Sequence, residues 1–160
     1  MADVTWIDKD NGFKALRAAV RGASGTIQIG VNENLHLNAD GTYDLTNAEL
    51  GAIHEYGTEH VPQRSFLRAW VDERQDEIKA KVAYSLRSTL EYGAPWAEVM
   101  GDFGKWAVEQ VRQRIKNGLE PANAESTLKR KGSDKPLIDS GQLLAAIEYE
   151  LHPKVLASKV

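Results

Sequence analysis

At 160 residues the chain is one domain's worth of sequence, large enough to bury about 70% of the surface its unfolded form exposes and to fold without a disulfide or metal staple. It contains no cysteine, which excludes disulfides, thiolate zinc sites and cysteine nucleophiles and suits a reducing compartment. Basic residues number 20 and acidic ones 23, a net charge of -3, so a broad electrostatic footprint for nucleic acid is missing and only a local basic patch is left for that role.

The amino-terminal "MADVTWIDKD" lacks the basic-then-apolar pattern of a signal peptide, and no apolar run approaches the roughly 18 residues that span a bilayer. A soluble protein with no membrane partner is expected. From Asn11 to Val20, Phe13, Leu16 and Val20 recur at helical spacing and predict a short amphipathic helix stopped by "RGAS". "TIQIGV" then alternates, with Ile27, Ile29 and Val31 on one face of a half-buried strand. Residues 35 to 45 read as a polar hairpin turning at Asp40-Gly41 and adding to the same sheet. Thr46 and Glu49 form a capping box flanked by Leu45 and Leu50, so a helix of about three turns starts there and ends at Gly57 in a left-handed conformation.

After Pro62, the residues Phe66, Leu67, Trp70, Val71, Ile78, Val82, Leu86 and Leu90 predict one long helix running to Gly93. A second long helix opens at Pro95 and carries Met100, Phe103, Ala107, Val111 and Ile115 inward until "NG" at 117 and 118. Residues 119 to 136 are polar and basic, broken by prolines and a glycine, and read as a long loop outside the core. Asp139 or Ser140 then caps a short helix burying Leu143, Leu144 and Ile147, and "IEYEL" alternates as a closing strand. The fold class that follows is α+β in one domain, a small mostly antiparallel sheet on two long helices, because the apolar period changes from 2 to 3.6 and back.

Five sites invite a chemical reading. In "AIHEYGTEHVPQRSFLR", residues 52 to 68, His54, Glu55 and His60 suggest a metal-dependent hydrolase. A zincin helix needs its second histidine at position 58, where Thr58 stands, so a helix end followed by a loop is the simpler account. Asp102-Phe103-Gly104 mimics a kinase triplet without any companion motif, and "GASG" at 22 to 25 lacks the frame of a serine nucleophile. Asp139, Ser140 and His152 are a triad in composition alone, since capping explains the first two. Lys129, Arg130, Lys131 and Lys135 form the one dense basic cluster, either a solvated loop or a contact for an acidic partner or DNA.

Taken in order, "AIHEYGTEHVPQRSFLR" and "GKWAVEQVRQRIKNGLEPANAESTLKRKGSDKPLIDSGQLLAAIEYEL" resemble the bacteriophage minor tail proteins known as tail-completion, tail-terminator or neck proteins. The pattern is an acidic-aromatic-glycine turn, a proline and an arginine before "FLR", a helix ending in glycine, and "T-L-x-x-K-G-x-x-K-P-L-I-D-S-G-Q-L". It covers residues 45 to 151, while residues 1 to 44 agree mainly in "TIQIGV". The resemblance implies a virion protein without catalysis, cofactor or metal, forming a ring of about six copies at the head-proximal end of the tail. Assembly would take place in the host cytoplasm, with the tail tube protein, the head-to-tail connector and DNA in the channel as neighbours. On that reading Glu55, Tyr56, Gly57, Pro62, Arg64, Phe66 and Arg68 form an exposed subunit contact, and Lys129, Arg130, Lys131 and Lys135 face the channel or connector. Tail terminator and neck adaptor are not separated by it, and the hydrolase and a DNA-binding module are the competing readings.

Overall fold

A computed structural model of the chain describes residues 12–22, 24–38, 40–122, 137 and 140–154. The architecture is α+β, with a two-stranded antiparallel sheet packed on helices. Strand β1 (Gly25–Val31) and strand β2 (Ile147–Pro153) set Ile27 opposite Leu151, Ile29 opposite Tyr149 and Val31 opposite Ile147. Alternation along both strands therefore directs all six of these side chains to one face.

That face lies on α5 (Trp96–Asn117), whose Met100, Phe103, Ala107, Val111 and Ile115 are buried as the spacing predicted. Helix and sheet meet at Gly104, where a β-carbon would stand 2.4 Å from the Tyr149 ring. Only a hydrogen leaves room for the ring there. The glycine that makes the kinase-like triplet is thus a packing residue, next to the core side chain Phe103.

Helix α2 (Asn47–Tyr56) begins with the expected capping box: Thr46 Oγ1 accepts from the Glu49 amide at 3.1 Å, and the Thr46 amide donates to Glu49 Oε2 at 2.8 Å. Gly57 closes it with φ 74° and ψ 171°, so φ is positive as expected but the chain leaves extended instead of left-handed. A β-carbon at Gly57 would also lie 2.9 Å from the Gln63 amide nitrogen.

The single helix expected from 66 to 92 is two, α3 (Arg68–Glu73) and α4 (Gln75–Tyr92), parted by Arg74 at φ -115°. Residues 72 to 77, "DERQDE", hold no apolar side chain that would pin the segment against the core, so the axis is free to turn between Trp70 and Ile78. Burial on α4 also departs from the expected stripe. Ser85 and Thr89 face inward with the partly buried Ile78 and Val82, whereas Leu86 and Leu90, like Val71 on α3, remain exposed. Small hydroxyl residues let α4 approach α5 closely, with the Ser85 hydroxyl 3.4 Å from the Val99 carbonyl.

Other expectations are corrected at element ends. Helix α1 (Phe13–Gly22) runs through the expected stop, lies beside α4 and leaves Phe13 exposed. Pro95 is the cap of α5 instead of its first residue. Gly141, with φ 81°, and not Asp139 or Ser140, stands at the cap of α6 (Gln142–Ala145). Residues 35 to 45 do fold back on themselves, the His36 amide reaching the Leu45 carbonyl at 2.8 Å and Gly41 turning at φ 85°. They do not join the sheet, and Leu35 with Thr46 makes only an isolated bridge. The segment has no continuous apolar face to seat on α5, which explains its exclusion. Leu119, within the stretch expected to lie outside the core, is buried in it, as is Leu137 just beyond that stretch.

Candidate functional site

The stretch from His54 to Arg68 builds a joint between α2 and α3. Glu55, on the last turn of α2, is buried and turns its carboxylate onto the start of α3. Its oxygens accept from the Ser65 hydroxyl at 2.6 Å and from the amides of Phe66 at 2.9 Å, Leu67 at 3.0 Å and Arg68 at 3.0 Å. A helix start has amides with no partner in the helix and a partial positive charge, and one carboxylate answers both. Burial pushes the Glu55 carboxyl up, but the bonds from Ser65, Leu67, Phe66 and Arg68 outweigh it and hold the group below its ordinary value.

Around that cap the loop is closed by further bonds. The Arg64 amide donates to the His54 carbonyl at 2.7 Å, Gln63 Nε2 to the Glu55 carbonyl at 3.1 Å, and the Thr58 amide to the Val61 carbonyl at 2.8 Å. Arg64 is itself buried, and its guanidinium donates to the carbonyls of Pro121 at 2.7 Å and Ala122 at 3.1 Å. Desolvation lowers its pKa. Phe66 is wholly enclosed among the core residues.

The structure therefore divides the seven residues expected at an exposed contact. Glu55, Arg64 and Phe66 are buried within the chain's own fold, a correction that follows from the amides at the start of α3 and the carbonyls beyond α5 needing partners. Tyr56 and Arg68 remain on the surface, the guanidinium carbon 5.4 Å from the ring centre, and Pro62 is exposed as well. Gly57 serves the turn.

For the metal reading, Glu55 has both oxygens engaged by four donors, and His60 lies on the exposed side of the turn. Among the described residues no group of three His, Asp or Glu side chains could hold a metal ion. Of the composed triad, His152 Nε2 meets Gln28 and Glu150, Ser140 meets Gln142, and Asp139 lies outside the described residues. Lys129, Arg130, Lys131 and Lys135 also lie outside them.

Two positioning side chains were missed in the sequence. Arg112, on α5, donates to the carbonyls of Leu144 at 3.0 Å, Ala145 at 3.2 Å and Ile147 at 2.8 Å, tying α6 and the start of β2 to the long helix. The Gln142 side-chain amide pairs with both backbone groups of Leu37, at 3.0 and 2.9 Å, and so holds the 35 to 45 excursion. An arginine next to Val111 in a buried stripe was the only available signal for the first; the second had none. No helix is long and apolar enough to cross a membrane among the described residues. No family model, no curated protein and no solved structure matches this chain.

Proposed function

We propose that this chain is a structural subunit of a phage virion, completing the tail at its head-proximal end as a ring of about six copies that meets the connector. The observation that carries the reading is the bond from Arg64 to Pro121 and Ala122. It joins the "PQRSFLR" stretch to the "LEPA" stretch, one from each of the two longer segments that carry the resemblance. Their polar residues tie the two segments together, as a load-transmitting subunit needs, and leave Tyr56 and Arg68 outward as a pair of the aromatic and arginine type that anchors interfaces, with Pro62 also exposed. The neighbours on this reading are further copies of the chain, the tail tube and the connector, and no chemical step is required of any residue.

Native mass spectrometry and electron microscopy of the purified protein across concentration test the proposal. A closed ring is expected, disrupted by Tyr56→Ala with Arg68→Glu while the fold is retained. Single subunits throughout, together with normal head-to-tail joining in a phage deleted for the gene, would overturn it.

A further inference from the structure

We infer that the outer edge of β1 is a self-pairing edge, built to take β1 of a second copy antiparallel about Gln28. The bonding phase of the sheet leads there. The Asn32 amide reaches the Ala146 carbonyl at 2.9 Å and the Lys154 amide reaches the Ser24 carbonyl at 2.9 Å, so even-numbered residues of β1 turn their backbone groups toward β2. Gly25, Ile27, Ile29 and Val31 turn theirs outward. Among the described residues no hydrogen bond reaches those outward groups.

Free edges invite pairing, and proteins blunt them with charge, proline or cover. The edge of β2 is blunted: Pro153 has no N–H and the Ile147 carbonyl is held by Arg112 at 2.8 Å. The edge of β1, "GTIQIGV", has no charge and no proline. Its Ile27, Ile29 and Val31 are only partly buried on α5, and among the described residues no strand lies beyond them in the sheet.

A two-fold axis at Gln28 satisfies both needs. Ile27 of one copy then faces Ile29 of the other, and Gly25 faces Val31, each pair exchanging two N–H···O bonds while the apolar face runs on across the junction. On the polar face Gln28 meets its own counterpart, so no charge sits at the centre. The next row reads Glu148, Gly30, then Thr26 and His152 of the second copy, an acid at one end and an imidazole at the other, with no like charges adjacent. Such a pair joins identical patches, whereas a ring joins unlike ones, so this inference stands independently of the assembly reading.

Engineered thiols test the register, since the chain has no cysteine of its own. Gln28 and Thr26 are exposed, and a β-carbon at Gly30 meets nothing within 4 Å. Gln28→Cys faces itself across a non-hydrogen-bonded pair, where Cα atoms lie about 4.5 Å apart, close enough for a disulfide. Thr26→Cys is offset from its counterpart by four residues, about 13 Å. Mild oxidation of the folded proteins is expected to give covalent dimer from Gln28→Cys, monomer from Thr26→Cys, and dimer again from the Thr26→Cys/Gly30→Cys double variant, at least tenfold faster than for Thr26→Cys alone. Monomer from both Gln28→Cys and the double variant, or equal linking by all three, would overturn the inference.

Discussion

Glu55 concentrates more of the joint's polar bonding than any other side chain, and its chemistry sets a pH dependence. Its carboxyl is held below the ordinary value in the fold, so the stability it adds is present above the ordinary glutamate range and is lost as pH falls through the lowered folded-state value. Glu55→Gln keeps the shape but loses the charge and one acceptor, and should cost about 2 kcal/mol near neutral pH. Chemical denaturation of both proteins from neutral pH downward checks it: the gap should narrow as pH falls below the ordinary glutamate range, and a gap that stays constant into strong acid would show that the carboxylate charge is irrelevant. Gly104 is the second decisive residue. Alanine improves helix propensity by about 1 kcal/mol, yet its β-carbon meets the Tyr149 ring, so Gly104→Ala should lower stability by about 1–3 kcal/mol. Adding Tyr149→Ala should recover part of that loss, which an additive thermal-melt result would contradict.

Between elements, the joint behaves as a small set of clamps. Arg64→Ala leaves the carbonyls of Pro121 and Ala122 without their donors, a loss of about 1–3 kcal/mol. Hydrogen exchange should quicken at Leu119 to Ala122 and around Arg64 while the capped start of α2 keeps its protection; uniform loosening would mean that the clamp supports the whole core. The break at Arg74 and the inward Ser85 and Thr89 share a cause, since the path of α3 and α4 is set by what they meet on α5. Trp70 lies 5.9 Å from the Trp106 ring, which also contacts Phe103 at 5.6 Å and Lys81 at 4.9 Å. The Arg114 guanidinium adds a bond to Glu73 at 2.9 Å across the same seam.

For the whole molecule, Phe66 is a test of the core. It is fully enclosed, so Phe66→Ala should cost about 3–5 kcal/mol and lower the melting temperature clearly. An unchanged melt would contradict its place in the core. In the proposed virion role, replacing Lys129, Arg130 and Lys131 by glutamate should leave folding intact, within about 0.5 kcal/mol, and reduce the yield of joined particles. Complementation of a phage lacking the gene measures this, and wild-type yield would make the cluster an ordinary solvated loop.

Periodicity in the sequence by itself determined the two alternating strands, the stripe of α5, the Thr46 capping box and the glycine stops, because each depends on residues close along the chain. It also carried the antiparallel class of the sheet. Three things were decided only by tertiary structure. A strand pattern at 35 to 45 was outweighed by the lack of an apolar surface to cover. The inward face of α4 was chosen by how closely α5 approaches, which favoured Ser85 and Thr89 over Leu86 and Leu90. Glu55 and Arg64, which composition marks as surface residues, were drawn inside because backbone groups at the start of α3 and beyond the end of α5 needed partners from elsewhere in the chain. Such needs arise where segments distant in sequence meet, and no local pattern encodes which side chain will answer them.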